Sequence, residues 1–225
     1  MGARGPKPEG KVAINWTPDF AYAIGLLVTD GNLSPDGRHI AFVSKEVEQL
    51  ENFKRALKID NKLTPIRSNY NDSLAYKVQF GDVLFYRFLN SIGITARKSL
   101  TIGEIAIPRH LFGHYFRGVL DGDGCFYSYW DKRWKSSYMF YVSVGSGSYK
   151  HCVWLKKEIS SLFGIKGHIA TSKRKASKNP YHQLRYAKRE SLILLRKVYA
   201  GGGSMYLTRK KLKIDKALGI IGVSL

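Results

Sequence analysis

The chain has 225 residues, of which 44% are hydrophobic and 13% aromatic, so it can build a core and is not a disordered basic tail. Its 37 Lys and Arg residues against 17 Asp and Glu give a formal net charge of +20. Charge of this sign and size on a folded protein indicates a nucleic acid partner first and an anionic membrane second. Passive RNA-binding proteins share it, so the charge alone does not indicate catalysis.

The sequence shows no apolar run of about 18 residues and no signal-peptide pattern. Its two cysteines, Cys125 and Cys152, are too few for a disulfide framework or a zinc site. We therefore expect a protein of the reducing cytoplasm of a bacterium or archaeon, or of an organelle. We expect it to be neither secreted nor bound to a membrane.

The first half of the chain predicts a short leader followed by one unit of helices and strands. Residues 1–15 are rich in Gly, Pro and Lys, which is typical of a flexible basic segment. Hydrophobic spacing then predicts alternating elements, with a polar turn between the last two strands. The predicted helices span 18–28, 46–58 and 83–92, the strands span 38–44, 63–69 and 74–80, and the turn spans 69–72.

The second half repeats the same order of elements. The predicted helices span 108–120, 149–163 and 192–199, and the strands span 126–130, 138–144, 167–173 and 182–187. One offset in residue number pairs Phe42 with Val144 and Leu57 with Ile159. Each unit reads αββαββα, so the chain is predicted to be a tandem pseudo-dimer. The first repeat would span 16–99, a linker 100–107 and the second repeat 108–225.

Charge is spread unevenly over the two halves. Residues 1–107 hold 14 basic and 11 acidic side chains, a net charge of +3, and residues 108–225 hold the other 23 and 6, a net charge of +17. We expect the second half to bind phosphate more strongly than the first.

Two apolar segments far apart in the chain end in the same way. Ala23–Gly31 and Phe116–Gly124 each carry a glycine at the third position and close with Asp-Gly. Gly25 and Gly118 fall in mid-helix, where Gly costs about 0.5–1 kcal/mol relative to Ala. Close packing of the two helices against each other would account for that cost.

The aspartates that close these segments lie where a helix least favours them. A Gly after a helical run is the usual left-handed cap, so Gly31 and Gly124 are expected to end the helices. Asp30 and Asp123 then lie at the partly negative end, which is unfavourable by a few tenths to about 1 kcal/mol. Two carboxylates at equivalent, unfavourable positions predict that both bind a cation.

These segments resemble the motif of the LAGLIDADG homing endonucleases, in the single-chain form that carries two motif copies. Gly31 and Gly124 align with the last glycine of the motif, and the repeated elements extend the resemblance over most of the chain. The first copy departs from the motif at Val28, because the sixth position is commonly acidic. The resemblance implies an α+β fold of two pseudo-symmetric αββαββα repeats. Each repeat would be a curved antiparallel four-stranded sheet backed by helices, and the paired motif helices would join them.

The resemblance also implies a reaction and a cofactor. In the family each motif acid serves one DNA strand, so Asp30 and Asp123, beside Thr29 and Gly122, would hold divalent metal at two phosphates that face each other across the minor groove. Mg²⁺ is the expected cofactor, with Mn²⁺ or Ca²⁺ as substitutes, because carboxylate oxygens suit it and it carries its own waters. The implied function is site-specific cleavage of double-stranded DNA by a monomer that acts as a pseudo-dimer.

The family also places a lysine near each active centre, late in each repeat. Lys98 and Lys210 occupy those places here, although Lys211 is adjacent to the second; the alternative roles are a phosphate contact or a turn cap. Gln79 and Arg185 end matching strands close to the motif helices. We expect these two side chains to position water or phosphate, or to contact bases.

Strand alternation separates the core side chains from those that would face DNA in the major groove. The strand residues expected on the DNA side are His39, Lys77, Gln79, Tyr141, Ser143, Gln183 and Arg185. Residues at strand ends and in loops are expected to contact phosphates, which positions the protein without reading sequence. These residues are Arg38, Arg67, Lys135, Lys173, Arg174 and Lys188.

Two other functions stay open on the same fold. A maturase would bind intron RNA and assist splicing, and a regulator would bind DNA without cleaving it. The presence of both Asp30 and Asp123 argues against the regulator. Nothing in the sequence excludes the maturase, which could coexist with DNA cleavage.

Overall fold

The computed structural model describes residues 10–67, 73–173, 179–199 and 205–225. Its helices are α1 (Pro18–Asp30), α2 (Val47–Leu57), α3 (Val83–Ser91), α4 (Phe112–Asp123), α5 (Tyr149–Phe163), α6 (Lys188–Tyr199) and α7 (Thr208–Ile220). Its strands are β1 (Gly31–Leu33), β2 (His39–Ser44), β3 (Thr64–Arg67), β4 (Leu74–Gly81), β5 (Gly124–Trp130), β6 (Tyr138–Ser146), β7 (His168–Lys173) and β8 (Pro180–Tyr186). Short 3-10 turns lie at Lys98–Leu100 and Arg109–Leu111.

The strands form two separate four-stranded antiparallel sheets with the same topology. The order is β1-β2-β4-β3 in the first sheet and β5-β6-β8-β7 in the second. Equivalent strands also share their register, since Phe42 pairs with Val78 in the first sheet and Val144 pairs with Leu184 in the second. The predicted α+β fold of two αββαββα repeats is confirmed.

Helix α1 lies at the centre of the molecule. Nearly every residue from Phe20 to Val28 is buried, so the helix has no solvent-facing stripe. A helix that is apolar all round must be covered on all sides. In this fold the covering comes from its own sheet, from α2 and from α4 of the other repeat.

Two elements were not predicted from the sequence. Strand β1 has only three residues and follows α1 without a turn, so it is too short to show alternation. Helix α7 contains five Lys or Arg residues and buries only Ile214, Ala217 and Leu218, so its amphipathic pattern is weak. The turn predicted at 69–72 lies outside the described residues.

The described end of the predicted N-terminal leader contacts the first repeat. The backbone N–H groups of Lys11 and Val12 donate to Oδ2 of Asp82 at 2.6 and 2.9 Å. Oδ1 of the same carboxylate accepts from the N–H of Phe85 and caps α3. Asp82 therefore joins the segment before α1 to the start of α3.

The motif helices α1 and α4 cross at their two glycines. A Cβ atom on Gly25 would lie 2.1 Å from the carbonyl oxygen of Tyr115, and one on Gly118 would lie 2.1 Å from that of Tyr22. No side chain fits at either position, so the two helix backbones are in direct contact. This contact joins the repeats and brings both helix C-termini to one place.

The predicted left-handed caps at the ends of these helices are wrong. Gly31 (φ −77°, ψ 146°) and Gly124 (φ −75°, ψ 142°) are both extended, because the chain passes directly from each motif helix into a strand. Glycine is needed there for space. A Cβ would lie 2.5 Å from the carbonyl oxygen of Leu27 at the first position and 2.3 Å from that of Leu120 at the second.

Substitution of the crossing glycines tests this packing. Gly25→Ala or Gly118→Ala should lower the free energy of unfolding by about 3 kcal/mol or more, because overpacking here must separate two backbones. Gly219→Ala is the matched control, since it lies in α7 with nothing within 4 Å of an added Cβ. It should leave stability unchanged or raise it by up to ~1 kcal/mol. Urea unfolding measures all three, and equal stability of the Gly25 and Gly219 variants would contradict the packing.

Candidate active site at the motif helix ends

Asp30 and Asp123 are the last residues of α1 and α4, and both side chains reach solvent. The protein that surrounds them still removes much of their hydration. This loss raises the pKa of Asp30, and together with the nearby Asp30 carboxylate it raises the pKa of Asp123 to about 6. Since the Asp30 carboxylate raises the pKa of Asp123, the two carboxylates lie close enough to interact.

A lysine binds the end of each motif helix. Nζ of Lys98, whose side chain is only 6% exposed, donates to the carbonyl oxygen of Gly31 at 2.5 Å. Nζ of Lys210 donates to the carbonyl oxygens of Leu120, Asp121, Gly122 and Gly124 at 2.7–3.1 Å. Gly31 and Gly124 are equivalent in the two repeats, so the two lysines are equivalent as well.

Lys210 and the adjacent Lys211 have different partners in the structure. Nζ of Lys211 pairs with Asp215 one turn later in α7 at 2.5 Å and lies 5.4 Å from the ring centroid of Tyr199. It therefore points away from the motif helices. Lys210 is the lysine that the fold brings to the second motif.

Each lysine lines a pocket together with the aspartate of the opposite repeat. One pocket is lined by Lys98 and Asp123, and the other by Lys210 and Asp30. Burial lowers the pKa of both lysines, and the neighbouring carboxylates oppose that shift. The site is thus built twice, each time from both repeats.

The carboxylates suit a divalent metal ion through their chemistry. Carboxylate oxygens are hard ligands, and the two carboxylates lie near enough to each other for Asp30 to raise the pKa of Asp123, so a divalent cation would suit both. Thr29 and Gly122 lie against each other, since a Cβ on Gly122 would be 2.0 Å from the Thr29 hydroxyl oxygen. That hydroxyl donates to the carbonyl of Leu26. Over the four described ranges, no group of three or more His, Cys, Asp or Glu side chains forms a metal site.

Asp121, the other acid of the second motif, belongs to the core. Its side chain is 2% exposed, and Oδ2 accepts from the Tyr22 hydroxyl at 2.7 Å and from the N–H of Leu207 at 2.8 Å. Burial raises its pKa to about 6. Asp121 therefore ties α1 and α4 to the start of α7, which carries Lys210.

Gln79 and Arg185 lie on the outer faces of the sheets, next to the motif ends. Gln79 pairs with Ala41, and Arg185 pairs with Ser143, at equivalent positions of the two sheets. Both side chains are exposed. His39, Lys77, Tyr141 and Gln183 are partly exposed on the same faces.

The prediction that the Ser143 side chain faces DNA is wrong. Its side chain is only 3% exposed, because it lies in a central strand between Cys125 on β5 and Arg185 on β8. It offers almost no surface to a ligand. The larger neighbouring side chains cover it.

Most of the residues expected to contact phosphates are exposed. These are Arg38, Arg67, Lys135 and Lys173. Lys188 is instead partly buried, and its Nζ donates to the carbonyl oxygen of Tyr138 at 2.8 Å, so it braces β6. Arg174 lies outside the described residues.

Two buried polar residues in the pockets were missed by the sequence reasoning. Gln49 lines the pocket of Asp30, and His151 lines the pocket of Asp123. The offset that pairs Phe53 with Leu155 also pairs Gln49 with His151. The internal repeat could therefore have identified them as an equivalent pair of polar residues inside two amphipathic helices.

No protein-family profile and no curated protein sequence matches the chain. Solved structures do match it. Full-length DUF199/WhiA from Thermatoga maritima superposes with a TM-score of 0.55 at 13% identity and covers 96% of this chain. This chain spans 66% of the length of that protein.

Homing endonucleases match the fold in the same way. I-WcaI bound to its DNA recognition sequence has a TM-score of 0.59 at 14% identity, over 88% of each chain. I-DmoI in complex with DNA and Ca has a TM-score of 0.57 at 12% identity, over 88% of this chain and 97% of that one.

Two αββαββα repeats joined through packed helices that end in aspartate define a pseudo-dimeric class of α+β protein. The chain has the LAGLIDADG fold, as its two motif copies predicted. Because WhiA as well as homing endonucleases share this fold, the fold alone does not assign an activity. Within the described ranges, no helix combines the length and the apolar character needed to cross a bilayer.

The two adjacent lysines provide a matched test of the site's construction. Lys210→Met should lower the free energy of unfolding by about 2 kcal/mol or more, because it removes a charged donor from four carbonyl groups at a helix end. Lys211→Met should cost less than about 1 kcal/mol, since it loses an ion pair with an exposed carboxylate and a contact with the Tyr199 ring, while the methionine side chain keeps the apolar packing. Thermal and urea unfolding compare the two, and an equal loss would contradict the assignment of Lys210.

Proposed function

We propose that the chain is a site-specific endonuclease that cleaves both strands of DNA with divalent metal held by Asp30 and Asp123. The observation that carries the proposal is the meeting of these carboxylates at the joined helix ends, where each lines a pocket with a lysine of the other repeat. Two equivalent centres on a pseudo-twofold axis suit a substrate with two antiparallel strands. The net charge of +20 suits a polyanion.

The two carboxylates would hold the metal, which when bound supplies a polarised phosphate and an acidified water. We assign this role to Mg²⁺, and I-DmoI, which shares the fold, has been crystallised with Ca and with Mn. The lysines have a separate role. Because Lys98 and Lys210 line the same pockets as the aspartates, we assign both ammonium groups to stabilising charge on a phosphate.

The outer faces of the two sheets would bind the DNA on either side of the cleavage site. They carry polar and basic side chains at equivalent positions, among them Gln79 and Arg185. Side chains in this arrangement can read base edges in the major groove, while exposed cations at strand ends bind phosphates. The sheets therefore account for specificity and the helix ends for chemistry.

Replacement of the aspartates tests the reaction. Asp30→Asn and Asp123→Asn should each abolish double-strand cleavage and leave DNA affinity nearly unchanged. Each variant should retain nicking of one strand, and the nicked strand should differ between them. Asp215→Asn, on α7, is the control and should cleave normally. The assay uses a duplex selected by cleavage from a randomised library, with each strand labelled.

The pH dependence follows from the raised pKa of Asp123. The protonated carboxyl group binds metal poorly, so the apparent affinity for Mg²⁺ should fall on the order of tenfold per pH unit below about 6 and level off above it. DNA binding without metal should vary much less over the same range. Cleavage rates at subsaturating Mg²⁺ from pH 5 to pH 8 measure this. Activity that rose on acidification would contradict the role of the carboxylates.

A second candidate is a DNA-binding protein that does not cleave, since WhiA shares the fold. Under this alternative, the wild type, Asp30→Asn and Asp123→Asn should bind a specific DNA sequence with equal affinity, and none of them should cleave it. Binding of intron RNA by a maturase stays a prediction, and it would be measured as RNA affinity independent of both aspartates.

A further inference from the structure

The polar pocket beside Asp123, here called the His151 pocket, is lined by Lys98, Asp123, Ser146 and His151 among others. His151 lies in the first turn of α5 and is 3% exposed. Its Nε2 has no hydrogen-bond partner among the described residues. A buried, unpaired ring nitrogen in a polar pocket indicates that something in that pocket binds it.

The protonation state of His151 follows from its other nitrogen. Nδ1 lies 2.7 Å from the carbonyl oxygen of Gly103, and a carbonyl oxygen only accepts, so Nδ1 carries the hydrogen. Burial lowers the pKa of His151 to about 4, which keeps the ring neutral at neutral pH. Nε2 is then an acceptor and needs a donor from the pocket.

The ring is held rigidly at this place. The segment between the repeats is anchored to the start of α5 twice, by Nδ1 of His151 on Gly103 and by the Ser148 hydroxyl, which donates to the carbonyl oxygen of Ile102 at 2.5 Å. Ser148 does not line the pocket. The pocket is therefore preorganised, and its acceptor has a fixed direction.

The equivalent pocket of the first repeat, here called the Gln49 pocket, has the opposite polarity. Oε1 of Gln49 accepts from the Ser44 hydroxyl at 2.6 Å, which leaves Nε2, a donor, without a partner among the described residues. Arg209 and Glu46 form an ion pair in the wall of this pocket. The two pockets thus present an acceptor beside Asp123 and a donor beside Asp30.

Water is the ligand that fits both pockets. Each unpaired buried group costs about 1–3 kcal/mol, and the same position is unpaired in both repeats, beside the carboxylate in each case. Water can donate to His151, accept from Gln49 and bond to a carboxylate or an ammonium group. Several polar groups line each pocket, as bound water requires.

We propose that the His151 pocket holds hydrogen-bonded water that links Nε2 of His151 to Asp123 and Lys98, and that His151 is a positioning residue for water at the Asp123 centre alone. This inference rests on the proposed nuclease function. Its consequence is that the two centres differ. His151 affects cleavage of one strand, and Gln49 affects cleavage of the other.

Strand-resolved single-turnover cleavage of the selected duplex with Mg²⁺ tests the proposal. The strand that Asp123→Asn fails to cut identifies the Asp123 centre. His151→Leu should slow that strand about tenfold, the equivalent of one lost hydrogen bond in the transition state, and leave the other strand within about twofold. His151→Gln, which restores an acceptor, should recover most of the rate. Gln49→Leu should slow the opposite strand.

Ser148→Ala is the matched control, because it also removes a hydrogen bond to the segment between the repeats but does not touch the pocket. Equal slowing of both strands by His151→Leu, or the same strand-specific slowing by Ser148→Ala, would overturn the proposal. If His151→Leu does not fold, Gln49→Leu and His151→Gln decide it. Failure of the wild type to cleave any selected duplex would instead overturn the proposed function.

Discussion

The direct backbone contact between α1 and α4 at Gly25 and Gly118 is the constraint on which the rest of the structure depends. It joins two repeats that are otherwise separate sheets with their own helices. Because the helices cross at equivalent glycines, their C-termini emerge side by side on one face. Both aspartates, both pockets and both outer sheet faces take their positions from this crossing.

That crossing brings negative charges close together, and the two lysines partly offset their repulsion. Two helix C-termini and two carboxylates meet in a small volume, and all four carry negative charge or partial charge. Lys98 and Lys210 bind the terminal carbonyl groups, so they stabilise the helix ends and leave the carboxylates free. The loss of hydration around the carboxylates keeps their pKa values raised despite the lysines.

The repeats share a plan but differ at the site. Lys98 stands on a 3-10 turn before the second repeat and binds one carbonyl group, while Lys210 stands on α7 and binds four. The buried Asp121 holds the start of α7 within its own repeat, and the pair between Arg209 and Glu46 holds α7 to the first repeat. A pseudo-symmetric fold has thus acquired two unlike centres, which suits an asymmetric DNA site.

Periodicity and spacing in the sequence predict the repeat, its αββαββα plan, the motif glycines and the two aspartates, because these signals are local and occur twice. They do not reveal β1 or α7, since three residues show no alternation and a helix rich in lysine shows little amphipathicity. The tertiary structure selects Lys210 over Lys211, places Asp121 in the core and covers Ser143. It alone showed His151 and Gln49 beside the carboxylates, because each of these outcomes depends on contacts between residues far apart in the chain.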